Sequence, residues 1–224
     1  MQDKGESKRH HENKSIIFPI ISLAAYIASL VINSVIGPAT AIVYRMKITP
    51  PAYFFGIWGL IYTLAGILLI YNVINNTWRN KTHVYMTLVS LFNLAWIQVT
   101  ASKIEGKVFI MLAILILVVF SCFQVWKRIH RSQYDSDVKY LAARNTISLY
   151  LGWVSAAAVL NFCQMLIYGL GVDEESTAMA FWVVVIPVAA SFIHYAYKKG
   201  ALDSFIGYFF SAAWGMFGVY TARS

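Results

Sequence analysis

The feature that most restricts this chain is its supply of long, charge-free apolar runs. Seven lie at about 16–36, 52–75, 84–102, 108–126, 146–169, 178–197 and 204–222, and none contains Asp, Glu, Lys or Arg. Each is close to the roughly 20 residues a helix needs to cross ~30 Å of hydrocarbon. Backbone groups in lipid must be satisfied within the segment, so such runs specify helices; barrel strands would alternate over about 10 residues. The 224 residues are 59% hydrophobic and 12% charged, and the short connections leave no room for a soluble domain. The expected fold class is all-α, a polytopic membrane helix bundle.

Lys and Arg set the expected orientation. Taking the runs as spans, the N-terminal tail and the second, fourth and sixth loops hold 13 of the 18, among them Lys8, Arg79, Arg128 and Lys198. The other side has Arg45, Lys47, Lys103, Lys107 and Arg223, and its fifth loop is acidic at Asp173, Glu174 and Glu175. The positive-inside bias then places the N-terminus in the cytoplasm and the C-terminus across the membrane. The net charge of +8 is mostly this topological signal. No nucleic-acid partner is expected, because the basic residues are not interleaved with aromatics on a soluble face.

Several chemistries are absent from the spans. Proton relays, pumps and voltage sensors bury ionisable groups in the membrane, and here no Asp, Glu, Lys or Arg does so; His194, about one turn from Lys198 at a helix end, reads as an interfacial histidine. The last run has no lysine for a retinal Schiff base. No His, Cys, Asp and Glu group has metal-ligand spacing, so no metal site is expected; no phosphate loop or nucleophile elbow appears. Conventional catalysis has no warrant, and no cofactor is required. Cys122 and Cys163 lie within spans, where small-hydrophobe packing is the default.

What the spans do hold is a set of aromatic and amide side chains at helical spacing. Thr49-Pro50-Pro51-Ala52-Tyr53-Phe54-Phe55 leads into the second run, the prolines stiffening the backbone just ahead of a helix. Phe55, Trp58 and Tyr62 then share one face. They read equally as an interfacial aromatic belt or as the wall of an apolar pocket. On the third run Asn93, Trp96 and Thr100 fall at i, i+3 and i+7; on the fifth, Tyr150, Trp153, Ala157 and Asn161 make one stripe. The amides either staple neighbouring helices or orient a guest in a mostly apolar cavity, with the small Ala157 leaving room. On the seventh run, Gly207, Ser211 and Gly215 form a small-residue face suited to docking within the chain or to a homodimer.

Three segments together resemble the translocator protein family, also called tryptophan-rich sensory proteins. They are the proline-led segment Pro50 to Tyr62, Asn93-Leu94-Ala95-Trp96, and Tyr150-Leu151-Gly152-Trp153 with Val159-Leu160-Asn161-Phe162. The likeness covers about residues 17–170, in the manner of a divergent, longer relative. It implies a five-helix core over 16–170, with two further helices in 171–224 and a polar tail at 1–15. In this family the loop between the first two helices lids a pocket that takes porphyrins, sterols and synthetic aromatic ligands. The matching positions make Trp58, Asn93, Trp96, Trp153, Ala157, Leu160 and Asn161 its lining, joined by Tyr150 from the stripe. Pro50, Pro51 and Tyr53 would form the lid. The chain departs from the family where Phe162-Cys163-Gln164-Met165 replaces the cholesterol-motif tail, where no tryptophan stands near Lys107 and Val108, and where Leu149 replaces a proline.

The leading expectation is a membrane protein that binds a flat hydrophobic ligand, such as a porphyrin, haem, sterol or lipid, to scavenge, sense or transport it. The alternatives are a small-solute carrier of seven-helix type and a ligand-free membrane scaffold. The carrier is weakened by the uncharged spans and the lack of an internal repeat.

Overall fold

The computed structural model describes residues 15–40 and 44–223. The polar tail, Ser15 apart, lies outside that range. Among the described residues the structure is all-helical, with α1 (Ile17–Thr40), α2 (Ile57–Asn75), α3 (Asn80–Ala101), α4 (Lys107–Arg128), α5 (Asp137–Leu170), α6 (Glu174–Lys198) and α7 (Ile206–Arg223). A 3₁₀ turn over Ala52–Gly56 runs straight into α2. Phe55 therefore lies in a tighter helix ahead of the face expected from Phe55, Trp58 and Tyr62.

Six helical segments are long and apolar enough to cross a membrane, and this is a multi-pass membrane protein. The expected seventh span falls short. α7 has 18 residues, and Gly207, Ser211, Gly215 and Gly218 dilute its apolar character. α5 also begins earlier than the run from 146. It has 34 residues, and Ser136 caps it by accepting the Lys139 N–H at 3.4 Å. A polar helical turn carries no hydropathy signal, so the added length from Asp137 to Asn145 was hidden in what looked like a basic loop.

α1 packs on α3 and α2, α3 on α4, α4 on α5, and α2 on α5, which closes a five-helix ring. α6 and α7 add to it by packing on α5. α5 is thus surrounded, and every residue from Ile147 to Ala156 is buried. A helix enclosed on all sides tolerates small residues where neighbours approach closely. A Cβ at Gly152 would lie 2.6 Å from the Tyr208 carbonyl oxygen, and one at Gly207 would lie 2.7 Å from the Leu149 nitrogen. One at Gly215 would lie 2.9 Å from the Ala156 Cβ. The small-residue face of α7 is therefore spent on α5, and a homodimer through it would first have to undock the helix.

The ends are finished by ordinary capping chemistry. α5 stops at Gly171, in the left-handed region at φ 71°, with the Val172 N–H donating to the Leu166 carbonyl at 2.9 Å. Asp173 caps α6 by accepting the N–H groups of Glu175 and Ser176 at 3.0 and 2.8 Å. At the opposite end, the buried Trp78 donates its indole N–H to the Tyr134 hydroxyl at 2.7 Å. Both cysteines are free and buried.

Candidate functional site

The ring encloses a cavity of about 920 Å³ in the half of the bundle nearest the α1–α2 loop. That is within the roughly 300–1,000 Å³ usual for small-molecule sites. α1 lines it with Tyr26, Leu30 and Asn33, α2 with Trp58 and Tyr62, and α3 with Trp96, Ile97 and Thr100. α5 contributes Trp153, Ala157, Leu160, Asn161 and Gln164, and α4 contributes Met111. The α1–α2 loop borders one side with Tyr44, Arg45, Met46, Thr49, Pro50 and Pro51, and Ala52 and Phe55 follow.

The aromatic wall is built edge to face. Trp58 stacks on Tyr62 at 5.2 Å and 19°, and presents its edge to Trp153 at 6.1 Å. Phe55 meets Trp153 at 5.9 Å and 85°. These separations are within the range in which ring quadrupoles attract. Across the cavity, Trp96 donates its indole N–H to the Asn161 Oδ1 at 3.2 Å, while the Asn161 amide donates to the Ala157 carbonyl at 3.2 Å. One amide thus ties α3 to α5 and stands in the lining as well, so the staple and the pocket polar group are the same residue. Tyr26 donates its hydroxyl to the Tyr62 carbonyl and fixes α1 against α2. Gly66 permits the approach, since a Cβ there would be 3.1 Å from the Tyr26 hydroxyl.

Six of the eight expected ligand-binding residues line the cavity: Trp58, Trp96, Trp153, Ala157, Leu160 and Asn161. Asn93 and Tyr150 do not. The Asn93 amide donates to the Tyr150 hydroxyl at 2.7 Å, and its carbonyl oxygen accepts from the Asn33 amide at 3.2 Å. Both are buried, about one turn along α3 and α5 from the lining, and serve as interhelical ties beyond it. Of the expected lid, Pro50 and Pro51 border the cavity, whereas Tyr53 is 66% exposed and rests on Phe54. Adjacent positions of a helical turn point roughly 100–120° apart, so burying Phe54 turns Tyr53 toward the outside.

Sequence reasoning missed the α1 contribution, although Tyr26, Leu30 and Asn33 sit at i, i+4 and i+7 and share a face. It also missed the loop anchors. The Gln164 amide donates to the Tyr44 carbonyl at 3.1 Å, and the Tyr168 hydroxyl donates to the Arg45 carbonyl at 2.5 Å. Gln164 stands in the segment where the family's cholesterol motif is lost. Met46 and Ile48 are buried in a cluster with Val159, Phe181 and Val219, and the Met46 N–H donates to the Thr49 hydroxyl at 2.8 Å. At the start of α4, where no tryptophan stands, the buried Lys107 donates to the Thr100 and Ser102 carbonyls, each at 2.7 Å. A cation at the free carbonyls of a helix C-terminus suits the helix dipole.

Arg45 is the one charged side chain in the lining among the described residues. No group of His, Cys, Asp and Glu among those residues is arranged to hold a metal.

The model of the TSPO-like protein family matches residues 10–224. The chain belongs to that family. The TSPO-like match runs through α6 and α7, well past the segment near residue 170 where the recognisable motifs end, so both C-terminal helices fall inside the shared region. Comparison with curated proteins finds no match, and neither does comparison with solved structures.

Proposed function

We propose that this TSPO-like membrane protein binds a flat hydrophobic ligand in the cavity, in a scavenging, sensory or transport role. The observation that carries the reading is the cavity itself, about 920 Å³ walled by Trp58, Trp96 and Trp153 on three different helices. Ring stacking and burial supply most of the affinity. A planar guest covering a few hundred Å² gains several kcal/mol at about 25 cal/mol per Å², less the cost of association. Asn161 and Thr100 orient it.

Arg45 narrows the class. A lone cation in the lining favours an amphiphile with an acidic group, such as a carboxylate-bearing tetrapyrrole, over a neutral sterol. The five-helix core over 16–170 holds the ligand, and 171–224 supports it. The positive-inside asymmetry places the N-terminus in the cytoplasm and the cavity on the opposite side of the bilayer.

The test is titration of the purified protein with protoporphyrin, followed by the porphyrin absorbance band, in wild type and in Ala157→Phe. Binding is expected to saturate in wild type and to be lost when the added ring fills the space, with the melting temperature retained. Equal saturable binding in the variant would remove the cavity as the site.

A further inference from the structure

We infer that α7 is the clamp that restrains the segment bordering the cavity from Pro50 to Phe55, with Trp214 as its positioning residue. α7 supplies no residue to the cavity lining, yet it backs that segment. The Trp214 indole N–H donates to the Phe54 carbonyl at 3.0 Å, and the two rings are 4.7 Å apart. Phe54 is fully buried, with Phe217 at 5.8 Å on another side. One turn along α7, Gly218 lies so close that a Cβ there would be 3.0 Å from both the Phe54 ring and the Pro50 Cβ.

The same face of the helix is fixed nearer its N-terminus. Gly207, Ser211 and Gly215 abut α5, and a Cβ at Gly215 would also lie 3.7 Å from the Trp153 ring. α7 therefore joins the most buried helix of the bundle to Pro50 and Phe54. Those residues flank Pro51 and Ala52 and precede Phe55, all three in the lining. A ligand leaving past the loop has to displace the segment that Trp214 and Gly218 hold. The inference rests on the binding reading for its consequence, the ligand's residence time. It does not need that reading for its mechanical half, the restraint of residues 50–56.

The experiment uses the full chain in lipid nanodiscs, with Trp214→Phe (ring kept, N–H lost), Gly218→Ala, and Tyr220→Ala as a control on the exposed face of α7. Amide hydrogen exchange of residues 44–56 is measured without ligand, and protoporphyrin dissociation is measured by stopped flow. Loss of one hydrogen bond worth about 1 kcal/mol corresponds to roughly a fivefold change. Trp214→Phe is therefore expected to speed exchange over 44–56 and porphyrin release about fivefold, and Gly218→Ala to speed both because its Cβ presses on Phe54 and Pro50, with exchange in α3 and α4 unchanged and the control like wild type. Unchanged exchange over 44–56 in both variants overturns the clamp. Faster exchange with wild-type release overturns its control of the ligand. Faster exchange in a protein whose wild type binds no porphyrin supports the clamp and rejects the binding reading instead.

Discussion

Asn93 and Asn161 look alike in the sequence, each one or two turns from a tryptophan on an uncharged helix, but they do different work. Asn161 stands in the cavity wall, whereas Asn93 ties Asn33 on α1 to Tyr150 on α5. Asn93→Ala is therefore expected to lower thermal stability by about 0.6–2 kcal/mol, read as a falling melting temperature in detergent. Its porphyrin affinity should stay near wild type. Asn161→Ala should lower both the affinity and the melting temperature, because the same amide accepts the Trp96 indole N–H. A second residue-scale expectation concerns Asp173, whose carboxyl is held below its ordinary value of 3.8, chiefly by the Ser176 N–H. The folded value is the lower one, so the native state binds fewer protons near that pH. The cap is complete above about 3.8 and is lost as pH falls through the folded value. Amide NMR shifts of Glu175 and Ser176 should titrate with a midpoint below 3.8 and become flat in Asp173→Asn.

At the scale of elements, most of what the hydropathy showed was the existence and kind of each helix. Long uncharged runs leave the backbone no alternative in lipid, and helices appear at all seven. The errors fall where polarity and helicity part company. Asp137–Asn145 is helical but polar; Ala52–Gly56 is apolar but wound as a 3₁₀ turn, with Phe54 buried and Tyr53 exposed. The stripe on α7 was legible as a packing face, but its partner was not, because small residues announce close approach and not what approaches. Gly207→Leu tests the partner. Its side chain would meet the α5 backbone near Leu149, and overpacking of this kind costs about 1–3 kcal/mol. The expected result is a lowered melting temperature together with faster hydrogen exchange in α5 and α7. An unchanged melting temperature would mean that α7 does not depend on this contact.

At the scale of the whole molecule, the cavity brings together α1, α2, α3, α5 and the loop between the first two helices, with Arg45 at the mouth. Arg45→Gln is expected to weaken protoporphyrin binding several-fold and to flatten its salt dependence, since the lost attraction is a screened one. The dimethyl ester, which lacks the carboxylates, should bind both proteins alike. By itself, the sequence determined that the chain is a membrane bundle, that its spans are uncharged, and which helices carry indoles and amides. Those properties follow from composition along one segment at a time. Only the tertiary structure decided which of those side chains meet around a void, because facing is a relation between helices that no single helix encodes. It turned Asn93 and Tyr150 into ties, brought in Tyr26, Asn33 and Gln164, and set α7 against the loop. Each of these outcomes depends on how far one helix is rotated and shifted against the next.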